Sequence, residues 1–162
     1  MHAAALMVLL VLALSGCKAP LNAVSQDAAQ GGTPGTSTPG TSALVATLAP
    51  EGKNTTGAGT ARLQINSGQQ TICSLIHVSG IELPSTATHI HRGASGTNGP
   101  IVVHLAAPNA QGFSSGCTSA PSAVITALLQ HPADYYVNVH NATYPEGAVR
   151  GQLAMCGGRI SC

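Results

Sequence analysis

From residue 43 onward, glycine and proline interrupt the chain at intervals too short for ordinary helices and well suited to strands. The stretches between them are rich in β-branched residues: Ala43–Leu48, Gly59–Asn66, Thr71–Val78, Ala87–Arg92, Ile101–Leu105, Tyr135–His140 and Ala148–Met155. The interruptions are Pro50-Glu51-Gly52, Ser67-Gly68, Pro84, Gly96-Thr97-Asn98-Gly99-Pro100 and Pro145-Glu146-Gly147. Short strands with regular turn signals predict an all-β domain, a Greek-key, immunoglobulin-like β-sandwich. One stretch breaks the rule. Ser119–Gln130, SAPSAVITALLQ, has a Ser start, Pro121 in its first turn and Ala/Leu-rich content, which predicts one short helix.

Alternation along the strands sorts their faces. In Tyr135–His140, Val137 and Val139 oppose Tyr136, Asn138 and His140. In Ala148–Met155, Val149 and Leu153 oppose Arg150 and Gln152. In Ile101–Leu105, Ile101, Val103 and Leu105 oppose Val102 and His104. In Thr71–Val78, Cys73, Leu75 and His77 share a face that the pattern allows to be core. Polar and histidine positions therefore collect on one face per strand.

The start of the chain has a different character. Residues 1–16, MHAAALMVLLVLALSG, are an apolar run ending at Leu14-Ser15-Gly16-Cys17. The run is shorter than the roughly 20 residues of a spanning helix, and its small residues before Cys17 predict a bacterial lipoprotein signal. Cys17 would then carry the lipid, placing the protein in the periplasm or at the outer membrane or cell surface. Residues 17–42 follow as a Gly/Thr/Pro linker, GGTPGTSTPGTS at its end, with nothing to bury. Residues 43–162 remain for one domain with a modest core.

Once Cys17 is set aside, Cys73, Cys117, Cys156 and Cys162 are left, an even number in an exported chain. Three connectivities are open. Cys73–Cys117 with Cys156–Cys162 is the favoured one, since the last two can close a small loop. The spacings match no zinc ribbon. A net charge of +1 with 7% charged residues argues against nucleic acid and against a polybasic membrane surface. The absence of Trp and a single Phe remove the stacking platforms that single-stranded nucleic acid or sugars would use.

The chemistry sits in two segments. ATHIHRGASGTNGPIVVHL, residues 87–105, holds His89, His91 and His104; YYVNVHNATYPEGAVRGQL, residues 135–153, adds His140 and Arg150. His89 and His91 are two apart, so a strand points both rings to one face. With histidines from other strands, such a pair is a way to hold a metal on a β scaffold. The plainer alternative is a set of imidazoles bonded to backbone. Arg150 could equally form an ion pair with Glu146 or Asp134. His77 is a reserve ligand, and His131 suits a helix C-terminus. Gly93, Gly96 and Gly99 read as turn residues, since no helix follows them to cradle a phosphate. Glu82, Asp134 and Glu146 show no paired-carboxylate logic, and no Ser stands in a nucleophile elbow.

The two segments together resemble the CHRD domain, the module named after chordin, over most of residues 43–155. That resemblance implies an all-β domain of exported proteins and supplies no activity by itself. In order and spacing the histidines also resemble copper/zinc superoxide dismutases: His89-x-His91, His104 thirteen residues on, a late His140, and Arg150 before Cys156. This second resemblance implies copper ligated by His89, His91, His104 and His140, with Arg150 guiding the anion. The zinc loop of that family is missing here, so the comparison is to a copper-only form. Imidazole sets suit copper; the same histidines would also suit the axial positions of a haem iron, held within one chain or between two copies in a homodimer. Three functions follow as expectations: superoxide dismutation, acting on superoxide or another small anion; copper binding in the periplasm without turnover; and a non-enzymatic binding or adhesion module whose histidines are structural.

Overall fold

Alternation of buried and exposed residues builds the sheets. In the computed structural model, which describes residues 40–51 and 56–157, the strands are β1 (Thr41–Pro50), β2 (Ala58–Asn66), β3 (Thr71–Ser79), β4 (Ala87–Arg92), β5 (Ile101–Leu105), β6 (Phe113–Ser119), β7 (Tyr135–His140), β8 (Val149–Gln152) and β9 (Ala154–Met155). Between β6 and β7 lie one α-helix, α1 (Ser122–Gln130), and a short 3-10 turn, Pro132–Asp134. The signal peptide, Cys17 and nearly all of the linker expected for residues 1–42 fall outside the described residues, as does Cys162.

The strands pair antiparallel in the order β5-β4-β7-β8-β1-β2-β3-β6. Strand β1 joins the two halves. Thr41–Leu48 pair with β2, while Ala49 and Pro50 pair with Arg150 and Val149 of β8. Strand β9 pairs with Leu44 and Val45 of β1. At the opposite edges β5 and β6 touch, which nearly closes the sheet into a barrel-like sandwich. The chain passes between the halves from β3 to β4, from β5 to β6 and through α1 to β7, the long connections of a Greek key. The expected all-β sandwich with one helix is what the chain forms.

Inward residues are the apolar ones of each strand: Leu44, Leu48, Leu63, Ile65, Ile72, Ile76, Ile90, Val137, Val139 and Leu153, capped by Ile125 and Leu128 of α1. Each such aliphatic side chain stabilises the fold by roughly 1.5–3 kcal/mol before entropy is set against it. Cys73 lies directly opposite Cys117 across β3 and β6, and the two are disulfide-bonded, as expected.

Four readings of the sequence are corrected. Strand β6, FSSGCTS, was not foreseen: it is rich in Ser and Gly and becomes a strand because the edge of β3 and the disulfide hold it there. The helix starts at Ser122, with extended Pro121 before it and Ser119 in β6. The face of Cys73, Leu75 and His77 is outward, because Ile72, Ile76 and Val78 take the core; Leu75 is 55% exposed and His77 stacks on exposed Phe113. Ile101 leaves the Val103 face because a bulge shifts the register: Ile90 opposes Val103 and His91 opposes Ile101. Val102 therefore packs against the core, and Ile101 is 45% exposed.

Candidate metal centre

The register carries the expected residues onto one surface. Residues directly opposed in an antiparallel pair share a face. His89 opposes both His104 of β5 and Asn138 of β7, His91 opposes Tyr136, and Ala87 opposes His140. Asn138 in turn opposes Arg150, and Tyr136 opposes Gln152. All of them lie on the outer face of the sheet whose inner face presents Ile90, Val137, Val139 and Val149. That outer face is not bare. Every residue of β7 is buried, including Tyr136, Asn138 and His140, because loops 93–100 and 141–147 cover it.

Under those loops His89, His91 and His140 converge. One ring nitrogen from each lies within 4.8 Å of the others, the one such group among the described residues. His89 Nδ1 and His140 Nε2 are 3.2 Å apart. Two imidazole nitrogens about 2.0–2.1 Å from one ion sit at about this separation. The rings are also oriented. His91 Nδ1–H donates to the Gly99 carbonyl at 2.9 Å, and His140 Nδ1–H donates to the Pro145 carbonyl at 2.9 Å. A carbonyl only accepts, so these bonds fix the tautomer and leave both Nε2 atoms as acceptors, that of His140 accepting from His89 Nδ1. The Nε2 of His91 is buried with no hydrogen-bond partner. An orphaned buried acceptor costs stability unless something binds it, and a histidine held at one nitrogen by a backbone carbonyl is the usual arrangement of a metal ligand.

Protonation agrees with this. His89 is pushed down to about 4, first by burial and then by the neighbouring His140, His104 and His91. Burial also lowers His140, partly offset by its bond to the Pro145 carbonyl and by Glu51 and Glu146. Both are neutral at pH 7, the form that coordinates metal. His104 is exposed and meets His89 edge-on, ring centroids 4.7 Å apart, outside the group whose nitrogens converge. His77 lies on β3, in the other half of the sandwich, and His131 ends α1, its N–H bonded to the Ala127 carbonyl.

The loops are themselves anchored. Tyr136 stacks on His91, centroids 4.9 Å apart and planes within 7°, and its hydroxyl accepts the Gly99 N–H. Arg150 sits over the Tyr136 ring, 3.6 Å from its centroid, and donates to the Thr97 carbonyl and to Asn98 Oδ1. Its ion-pair partner is Glu51 at 2.7 Å, not Glu146 or Asp134. Gln152 donates to the Gly93 and Ala133 carbonyls. On the other loop, Thr143 bonds the Glu82 carboxylate, Asn141 Nδ2 donates to the Glu82 carbonyl, and Asn138 Nδ2 donates to the Glu146 carbonyl. Glu51, Tyr136 and the carbonyls of Gly99 and Pro145 were not singled out in the sequence; only the Gly/Pro clusters flanking the histidine motifs hinted at loops folded back over them.

Two cavities adjoin this surface. One of about 370 Å³ is lined by all three converging histidines together with Ile101, Asn138 and Glu146. The larger, about 740 Å³, lies beside Arg150 and Glu51 and reaches none of the histidines. Of the two, only the smaller one is lined by the converging histidines.

No curated protein matches the chain at a significant level. The family model for the CHRD domain matches residues 41–153, which takes in every strand from β1 to β8, both histidine segments and both covering loops. The chain belongs to the CHRD domain family.

Proposed function

We propose that this CHRD domain is an exported copper-binding domain, tethered by a lipid on Cys17, that holds one ion through His89, His91 and His140, with His104 at the margin. The observation that supports it best is the convergence of three imidazole nitrogens, with two of the rings oriented by carbonyls and the His91 Nε2 left buried and unpartnered. Three imidazoles suit copper above other first-row divalent ions, and no thiolate or carboxylate is among the converging atoms. Three nitrogens aimed at one point fit a bare ion better than a haem, whose porphyrin already fills four positions.

A second reading adds turnover. The cavity of about 370 Å³ over the histidines leaves a path for a small anion, which favours superoxide dismutation. Copper would supply one-electron redox chemistry, so that two superoxide ions and two protons become dioxygen and hydrogen peroxide. The protein's part is to hold three imidazoles in place and to limit access to the cavity. Arg150 contributes little steering in this reading, because Glu51 offsets its charge.

The test is metal analysis of untagged protein with absorption and electron paramagnetic resonance spectra, followed by superoxide decay. One copper per chain, lost on replacing any of His89, His91 or His140 with Ala, is the expected result. Folded protein that takes up no metal would favour a binding or adhesion module. Bound copper with negligible superoxide decay would leave copper storage and remove dismutation.

A further inference from the structure

We infer that Arg150 is a positioning residue for His91, acting through Tyr136 and the 97–99 turn, and that it does not meet the anion itself. The inference rests on the metal reading, and six contacts carry it. The guanidinium lies 3.6 Å from the centroid of the Tyr136 ring. That ring is also stacked parallel on His91, so Tyr136 of β7 stands between the histidine of β4 and the arginine of β8. The same guanidinium donates to the Thr97 carbonyl at 2.9 Å and to Asn98 Oδ1 at 3.3 Å. One residue further on, Gly99 donates its N–H to the Tyr136 hydroxyl and accepts the His91 Nδ1–H. Arg150 thus holds both the plate on which His91 rests and the turn whose carbonyl sets its tautomer. Its remaining contact is the ion pair with Glu51, at 2.7 Å.

This assignment differs from charge steering in what it predicts. A planar guanidinium can cover a ring and bond two acceptors beside it at once; an ammonium cannot. Arg150→Lys therefore keeps the charge and the Glu51 partner but loses the clamp. Glu51→Gln keeps the clamp and an acceptor for Arg150 but removes the counter-charge.

The experiment reads the imidazole nitrogen shifts of His91 in metal-free protein and copper affinity by competition, for wild type, Arg150→Met, Arg150→Lys and Glu51→Gln. In wild type and Glu51→Gln, His91 should appear as a single Nδ1–H tautomer. In Arg150→Met and Arg150→Lys it should appear as a mixture, with copper affinity ten- to hundredfold lower, the scale of losing an outer-shell partner. If Arg150→Met does not fold, Arg150→Lys decides the matter. Folded Arg150 variants with a single Nδ1–H tautomer and copper affinity within twofold of wild type would overturn the inference. Wild type that shows the locked tautomer but takes up no copper would overturn the metal reading instead, and the tautomer comparison would still decide the role of Arg150.

Discussion

Gly99→Ala should damage the centre without touching a histidine. A Cβ at Gly99 would lie 1.7 Å from the Arg92 carbonyl oxygen and 2.7 Å from its carbon. Both are backbone atoms of β4, so no side chain can swing away. Reaching even a tight 3.0 Å contact requires a shift of about 1.3 Å (3.0 less 1.7) between the turn and the strand. A shift of that size takes the 2.9 Å bond from His91 Nδ1 beyond hydrogen-bonding range and threatens two others, Gly99 N–H to Tyr136 and Arg92 N–H to the Pro100 carbonyl. At roughly 0.5–1.5 kcal/mol for each bond, the loss is about 2–4 kcal/mol, a large share of the roughly 5–15 kcal/mol of a typical domain. Copper affinity should fall about ten- to hundredfold as His91 loses its orientation. Gly96→Ala is the control. Gly96 has φ +79° and nothing within 4 Å of its Cβ position, so Ala there meets only backbone strain of roughly 1–2 kcal/mol. Urea denaturation of metal-free protein and a copper competition titration would be run on both. If the two variants lose the same stability and both keep full copper affinity, the Gly99 carbonyl does not organise the site.

The remaining predictions concern ligands, pH and the disulfide. His89→Ala, His91→Ala and His140→Ala should each abolish tight copper binding, while His104→Ala should keep it; equal loss in His104→Ala, measured by metal content of folded protein, would require a four-histidine centre. Metal-free protein should be most stable above about pH 6.5 and lose stability as pH falls toward about 4, because His89 takes a proton more readily unfolded, near 6.5, than folded, at about 4. Denaturant titrations at pH 7, 5.5 and 4.5 check this, and the slope should shrink in His89→Gln. Replacing Cys73 and Cys117 with Ser opens a link across 44 residues and should cost about 4 kcal/mol in the chain-entropy picture. Copper affinity should not change in that variant, since β3 and β6 carry none of the converging histidines; thermal melts and copper titration read the two effects separately.

How much of this was legible in the sequence depends on whether a residue's role is set along its own strand or by a neighbour. Period-two alternation placed Val137, Val139, Val149 and Leu153 inward and Asn138, His140, Arg150 and Gln152 outward, because a two-faced strand leaves no other option. The same rule failed at Ile101 and Val102, since a bulge depends on the register with β4 and leaves no mark inside IVVHL. Strand β6 was missed because FSSGCTS has little strand preference of its own; its pairing is imposed by β3. His77 was misplaced because LIHVS alternates equally well in either phase until Ile72, Ile76 and Val78 are known to face the core. The partner of Arg150 was misjudged for a similar reason. Glu146 and Asp134 are near in sequence, whereas Glu51 arrives from the far end of β1, where that strand crosses to β8.

Strand β7 shows why the site could form on a sandwich at all. The outer face of such a sheet ordinarily meets water, where imidazoles would be protonated near pH 6.5 and freely rotating. Here the outer-face residues Tyr136, Asn138 and His140 are buried, like the valines behind them. The cover consists of the same Gly/Pro segments that cut the chain into strands. Asn98-Gly99-Pro100 lays the Gly99 carbonyl on His91. Pro145-Glu146-Gly147 lays the Pro145 carbonyl on His140 and the Glu146 carbonyl on Asn138. Gly147, at φ +142°, lets this loop pack where a Cβ would strike both Glu51 and Asn138. Each segment therefore separates two strands, covers the sheet and orients a ring. A loop substitution that meets no backbone atom should disturb the rings while leaving the core packed, because Val137, Val139 and Ile90 lie on the opposite face of the sheet.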